Sequence, residues 1–137
     1  MDSMIELEFG LIEAVRKLDI EMFKVFYVHV EDYKHSRKLY FLRDLELTFR
    51  KLKELGDTII MPNLGSCEGC NKGCYGYQFV GNKSKNYFDL VFEKEVDRIK
   101  GIKECSELKA LNKDQELKNR IYLHDFNDPS SPKNVPF

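Results

Sequence analysis

The chain has 137 residues, of which 22 are basic and 23 are acidic, so its formal net charge is −1. This length is typical of a single domain whose buried core is large enough to be stable without disulfide bonds or bound metal ions. Hydrophobic residues make up 42% of the chain and aromatic residues 12%, which is the composition of a globular protein and excludes a disordered one. The balanced charge gives no electrostatic reason to expect nucleic acid or an anionic membrane as a partner.

The sequence predicts a cytoplasmic protein. A transmembrane helix needs about 18 or more consecutive apolar residues, and the sequence contains no such run. The first residues, Met1 to Glu6, lack the basic stretch and apolar run of a secretory signal. In a reducing compartment, clustered cysteines are more often metal ligands or redox groups than a disulfide framework.

Helical periodicity dominates the first half of the chain. A first helix is predicted over residues 4–18, opened by a capping box of Ser3 and Glu6. A second is predicted over residues 20–26, with Asp19 as its cap. The apolar face predicted for the first helix comprises Ile5, Phe9, Ile12, Val15 and Leu18.

The clearest helical pattern covers residues 36–55. It is preceded by a short predicted strand at residues 27–30 and by a polar turn. Gly56 supplies the left-handed residue that commonly ends a helix. The predicted apolar face of this third helix comprises Leu39, Leu42, Leu45, Phe49, Leu52 and Leu55.

The second half of the chain is predicted to be strand-rich. Short loops between successive strands favour an antiparallel meander. Residues 106–123 are predicted to be weakly helical with a solvated charged face that includes Lys118 and Arg120. One domain is predicted over residues 1–125, with a tail at 126–137. The predicted strands cover residues 58–61 (stopped by Pro62), 75–80, 87–93 and 99–105.

Helices followed by strands predict an α+β fold, with N-terminal helices packed on a curved antiparallel sheet of four to five strands. This order resembles the cystatin-like folds, in particular the nuclear transport factor two-like group. The stretch from Gly76 to Leu90 also resembles small bacterial proteins of unknown function with this kind of fold. The resemblance implies a cavity between sheet and helices. Because members of the group include isomerases, dehydratases, ligand binders and dimerisation modules, it leaves enzymatic activity open.

Cys67, Cys70 and Cys74 fall within eight residues, with Gly69 and Gly73 between them. Zinc takes four ligands in a tetrahedron, commonly thiolates and imidazoles. A Cys-x-x-Cys turn brings two sulfurs to one ion, and the glycines let the backbone fold tightly. The sequence therefore predicts a metal site, with structural zinc as its occupant.

The fourth ligand is open between Cys105, His124 and a group from outside the chain. In a simple meander, Cys105 lies about 16 Å from the cluster along the strands, too far for a shared ion. Two alternatives to a metal remain. The first is a redox pair of Cys67 and Cys70 with Cys74 as the resolving thiol, and the second is a loop of inert thiols.

Other ionisable residues favour ordinary roles. His29 and His35 are predicted to be a strand residue and a surface residue. Asp89 is predicted to face solvent, with a cavity wall as the alternative.

The predicted function is a binding or interaction module with a zinc-binding cysteine cluster. The alternatives are a small enzyme or ligand-binding protein with a pocket between sheet and helices, and a thiol redox protein. The predicted partners are a second copy of the chain and a small-molecule ligand.

Overall fold

The computed structural model describes residues 4–31, 36–67, 75–105 and 108–123. Within these ranges three helices precede five strands that form one antiparallel sheet, so the predicted α+β fold is confirmed. No helix in the described ranges has the length and apolar character needed to cross a bilayer. The helices are α1 (Met4–Arg16), α2 (Ile20–Tyr27) and α3 (Ser36–Glu54), and the strands are β1 (Ile60–Cys67), β2 (Tyr75–Gly81), β3 (Tyr87–Glu95), β4 (Arg98–Lys103) and β5 (Leu108–Ala110).

The strand order in the sheet is β4-β3-β2-β1-β5. The first four strands form the predicted meander, and β5 returns to pair with β1 on the far side. Lys103 of β4 and Leu108 of β5 lie in the two edge strands of the sheet, and the five residues of chain that join them span at most about 18 Å. In a flat sheet the two edge strands would be four strand spacings, about 19 Å, apart. The sheet is therefore strongly curved, and β5 also contacts β2.

Two of the predicted helix signals are confirmed in detail. The Asp19 carboxylate accepts a hydrogen bond of 3.0 Å from the Met22 backbone N–H at the start of α2. Gly56 follows α3 with a φ of 98°, a conformation that costs little only for glycine. The capping role predicted for Ser3 lies outside the described residues.

The apolar face predicted for the first helix is confirmed at Val15 and Leu18, which are buried, and is wrong at its N-terminal end. Ile5 and Phe9 are 77% and 66% exposed, whereas Leu7 and Leu11 are buried in the core. The reason is the contact between the first two helices, because the Phe26 ring of α2 packs directly on Gly10. This contact turns the Gly10 side of α1 inward and leaves Ile5 and Phe9 at the surface.

The strand predicted at residues 27–30 is wrong. Tyr27 is the last residue of α2, and the next residues form a turn in which Val30 N–H donates to Tyr27 O at 3.0 Å. Phe23, Tyr27 and Val30 are all buried. Their spacing of four and three residues continues the helical period, which outweighs the short alternation of polar and apolar residues.

Strand β1 is longer than predicted and runs through Pro62, which was expected to end it. The residues expected to form a loop, 63–66, belong to this strand. β5 pairs with β1 from Gly65 to Cys67, so at Pro62 the described sheet supplies one strand neighbour, β2. Proline is tolerated where a strand has a neighbour on one side only.

The C-terminal residues are extended rather than weakly helical. Residues 108–110 form β5, and residues 118–121 run beside the start of β3. Tyr87 N–H donates to Asn119 O at 3.0 Å, and Ile121 N–H donates to Tyr87 O at 2.7 Å. These two bonds form a parallel bridge between Tyr87 and Arg120. The chain thereby fills the position beside Tyr87 to Leu90 that β4 does not reach.

Candidate functional site

The cysteines predicted to bind metal are only partly covered by the described residues. Cys67 ends β1, where it pairs with Leu108 of β5. Cys105 is a reduced, half-buried cysteine two residues after β4. Cys70, Cys74 and the alternative ligand His124 lie outside the described residues. Among the described residues, no three metal-ligating side chains converge.

A row of buried polar side chains crosses three adjacent strands instead. Asn63 of β1 pairs with Gln78 of β2, and Gln78 pairs with Asp89 of β3. Their exposed fractions are 8%, 5% and 1%. Directly opposed residues of antiparallel strands point to the same face of the sheet. This face is opposite to the one whose phenylalanines, among them Phe79 and Phe88, pack in the helix-covered core.

The Asp89 carboxylate is paired with the guanidinium of Arg120. Nη2 of Arg120 lies 2.9 Å from Oδ2 of Asp89, in an ion contact that lacks the angle of a hydrogen bond. Both carboxylate oxygens, and Oε1 of Gln78 beside them, accept no hydrogen bond from the described residues. The prediction that Asp89 faces solvent is wrong, because Asp89 is 1% exposed and the Arg120 side chain lies against its carboxylate.

Strand-like alternation in the C-terminal segment positions Arg120. Ile121 and Leu123 are buried in the core, 1% and 2% exposed, so Arg120 and Tyr122 point to the other side. The guanidinium carbon of Arg120 lies 5.3 Å from the ring centre of Tyr87 and 5.8 Å from that of Tyr122. Two aromatic rings and one carboxylate therefore hold the guanidinium in place.

Burial raises the pKa of Asp89 to about 7, because the charged carboxylate is deprived of water. The Arg120 guanidinium opposes this rise in pKa, and the negative charge of Glu104 adds to it. Burial is the largest of the three effects. Asp89 therefore exchanges a proton close to neutral pH, although an aspartate normally loses it near pH 4.

Next to this pair lies an open cleft of about 610 Å³ between the C-terminal end of α3 and residues 118–122. The volume is within the range typical of small-molecule sites. Lys51 and Leu55 form its α3 side. The opposite wall comprises Asn86, Tyr87, Lys118, Asn119, Arg120 and Tyr122, together with backbone of Ile121.

The charges at the cleft have one sign. Lys51, Lys118 and Arg120 all line it, and none of the described lining residues carries a carboxylate. Burial lowers the pKa of Lys51, which shows that this ammonium group has lost part of its water shell. Arg120 is also largely buried, whereas Lys118 is exposed. Three cations at one concave surface favour an anion there.

The sequence placed Lys118 and Arg120 on a solvated face, and the structure brings them to the cleft. The signal that would have found Arg120 is the alternation of Arg120, Ile121, Tyr122 and Leu123, which is typical of a strand with one buried face. The cleft lies beside the C-terminal end of α3 and the start of β3, and the pocket predicted between sheet and helices stays a prediction.

Comparisons of this chain with protein-family models, with curated proteins and with solved structures find no match. The resemblance to the nuclear transport factor two-like group rests on the order of elements and stays a prediction. The candidate site is therefore defined by its geometry and charge: a cationic, tyrosine-walled cleft above a buried Asp89–Arg120 pair.

Proposed function

We propose that the protein is a binding module for a small organic anion, a phosphate ester in the first place, which occupies the cleft between α3 and residues 118–122. The observation that carries this proposal is the convergence of Lys51, Lys118 and Arg120 on one cleft without a lining carboxylate. A guanidinium presents paired N–H groups that match the oxygens of a phosphate, and an ammonium adds charge.

The remaining wall supplies contacts for the body of such a ligand. The rings of Tyr87 and Tyr122 and the side chain of Leu55 offer apolar surface, and the Asn86 and Asn119 amides offer hydrogen bonds. Among the described residues, the lining supplies no serine or cysteine nucleophile with an adjacent base. These groups favour binding over catalysis as the role of the cleft.

Calorimetric titration with phenyl phosphate at low ionic strength tests this proposal. Lys118→Met and Lys51→Met each remove one cation and keep most of the side-chain volume. We expect each to weaken binding by about tenfold, since one charge-assisted contact contributes about 1–2 kcal/mol.

The matched controls are Lys53→Met on the same helix as Lys51 and Lys113→Met in the same segment as Lys118. Both lysines are exposed and neither lines the cleft, so binding should change less than twofold. Equal losses in all four variants would indicate unspecific charge attraction and would overturn the proposal. The absence of phenyl phosphate binding to the folded wild-type protein would overturn it as well.

We also propose that Cys67, Cys70, Cys74 and Cys105 hold a structural zinc ion. The register of β5 supports this second proposal. Leu108 pairs directly with Cys67, at a Cα separation of about 5 Å. Three residues of chain add at most about 11 Å, so the Cα atoms of Cys105 and Cys67 are at most about 16 Å apart. This distance is an upper limit.

Elemental analysis of protein purified without an affinity metal tests the zinc proposal. We expect about one zinc per chain and a melting temperature that falls by many degrees with a chelator or with Cys70→Ser, because metal binding energy adds to folding energy. A further substitution, Cys105→Ser, separates the candidates for the fourth ligand. The proposal would be contradicted if the purified protein contains no metal and its melting curve does not change when the chelator is added.

A further inference from the structure

We infer that Asp89 and the bound anion compete for Arg120, so that uptake of a proton by Asp89 tightens anion binding in the cleft. The inference rests on the proposed anion site and concerns its regulation. It depends on two arrangements of the buried polar side chains around Asp89. Asp89 is ionised in the first arrangement and neutral in the second.

In the ionised arrangement, the carboxylate neutralises Arg120. The two groups lie 2.9 Å apart, and both are largely shielded from water, with exposed fractions of 1% for Asp89 and 17% for the Arg120 side chain. Few water molecules screen this attraction. The positive charge that Arg120 presents to the cleft is therefore reduced for as long as Asp89 is ionised.

In the neutral arrangement, the carboxyl hydrogen has an acceptor at hand. Gln78 and Asp89 are direct cross-strand neighbours on one face, with Cβ atoms about 5 Å apart. Three oxygens at this point, two from Asp89 and Oε1 from Gln78, lack a hydrogen-bond donor in the described residues. Buried acceptors without a donor are costly. One proton on Asp89 relieves this cost, because the carboxyl group can then donate to Gln78.

The charged and titratable groups that face Asp89 come from every element around it. Arg120 comes from the C-terminal segment and Glu104 from the chain after β4. Tyr87 stands two residues before Asp89 on the same strand face, and Gln78 of β2 does not titrate. Arg120 favours the ionised form, whereas burial and the negative charge of Glu104 favour the neutral form. The resulting pKa is about 7. Asp89 therefore gains or loses its proton, and changes between the two arrangements, near neutral pH.

An anion in the cleft shifts this balance. When Asp89 takes a proton from solvent, an O–H bond forms on the carboxyl group, and the full positive charge of Arg120 becomes available to the ligand. A bound anion draws Arg120 away from the carboxylate, which raises the proton affinity of Asp89 by linkage. Anion binding and proton binding therefore strengthen each other.

Sulfate is the probe of choice, because it does not change protonation between pH 6 and 8. Calorimetric titrations at constant ionic strength should show affinity about tenfold lower at pH 8 than at pH 6, which is the change expected for one linked proton with a pKa near 7. Titrations at pH 7 in two buffers of different ionisation enthalpy should show that binding takes up a proton. Asp89→Asn should bind sulfate with no dependence on pH in this range, whereas the exposed control Asp114→Asn should behave like wild type.

Each outcome decides one question. Sulfate affinity that is equal at pH 6 and pH 8 in the wild type, without proton uptake, overturns the linkage and leaves the anion site in place. The same pH dependence in folded Asp89→Asn also overturns it. If Asp89→Asn does not fold, the buffer comparison on the wild type decides alone. Lack of sulfate binding at any pH, together with lack of phenyl phosphate binding, overturns the anion site itself.

Discussion

Asp57 and Asp89 are both nearly inaccessible to water, but their surroundings differ in the number of hydrogen-bond donors. Asp57 accepts hydrogen bonds from Lys83 N–H at 2.8 Å, Ser84 N–H at 2.8 Å and Ser84 Oγ–H at 2.6 Å. These bonds hold the turn between β2 and β3. Asp89 has an ion contact with Arg120 and no comparable donors among the described residues. Asp57 is therefore a structural carboxylate, and Asp89 is the one whose charge is costly.

This cost makes the stability of the protein depend on pH. The folded-state pKa of Asp89, about 7, exceeds the ordinary value of 3.8, so between these values the folded protein holds a proton that the unfolded chain has lost. The contribution of Asp89 to stability is thus greatest below about pH 4 and is lost as the pH rises from there through about 7. We expect Asp89 to lower the free energy of unfolding by about 2–3 kcal/mol between pH 5 and pH 8.

Urea unfolding of wild type and Asp89→Asn across this pH range measures that loss. The difference in unfolding free energy between the variant and the wild type should rise with pH in favour of the variant. Asp114→Asn, which changes an exposed carboxylate, should show no such trend. A constant difference for Asp89→Asn would mean that Asp89 is ionised throughout.

At the scale of single residues, the sequence identified Asp89 as a polar group between apolar neighbours but not its burial. In β3, Asp89 alternates with Phe88 and Leu90, whose side chains lie in the core. This alternation could not show that Arg120, about thirty positions later in the chain, lies against the Asp89 carboxylate. Burial of a strand face depends on which distant segment packs there, and local periodicity carries no information on that.

Among the elements, α3 links the core to the cleft. Leu45, Phe49 and Leu52 are at most 2% exposed, as the predicted apolar face requires. Lys51 of the same helix and Leu55, which follows its last residue, line the cleft. Leu55 is 44% exposed, so its predicted place on the apolar face of α3 is wrong.

Truncation of Phe49 and Leu55 tests this assignment. Phe49→Ala should lower the free energy of unfolding by about 3–5 kcal/mol, because it leaves a cavity in a closely packed core. Leu55 is 44% exposed, so Leu55→Ala should cost less than about 1 kcal/mol. Chemical denaturation of both variants provides the comparison, and similar losses would mean that the helix is rotated from the orientation described.

Elements with a strong local signal could be predicted from the sequence, and elements fixed by their neighbours could not. The caps at Asp19 and Gly56 and the long apolar period of α3 are local features, and they were found. The passage of β1 through Pro62 and the pairing of β5 with β1 depend on which strand lies alongside. From the sequence alone, a proline predicts the end of a strand. In the folded sheet, a strand tolerates a proline when one of its sides has no partner strand.

In the whole molecule, the C-terminal segment connects both proposed sites. β5 brings the chain after Cys105 to the end of β1, where Cys67 lies. Residues 118–122 then pass the start of β3 and form one wall of the cleft. Ile121 and Leu123 of this segment are buried in the common core. The segment therefore contributes to stability and to the candidate site together, which a weakly helical, solvated stretch would not do.

The zinc site, the second copy of the chain as a partner and the extent of the domain stay predictions. They rest on the sequence and, for zinc, on the β1–β5 register. The anion cleft is the central claim, because it rests on side chains that the structure places together.

The most direct test is to locate a bound anion on the ¹⁵N-labelled protein by two-dimensional NMR with phenyl phosphate. We expect saturable shifts of the backbone amides of residues 86–87 and 118–122, together with those near Lys51, and little change at the β3–β4 turn. Shifts centred elsewhere, or uniform small shifts that grow linearly with ligand concentration, would contradict the account.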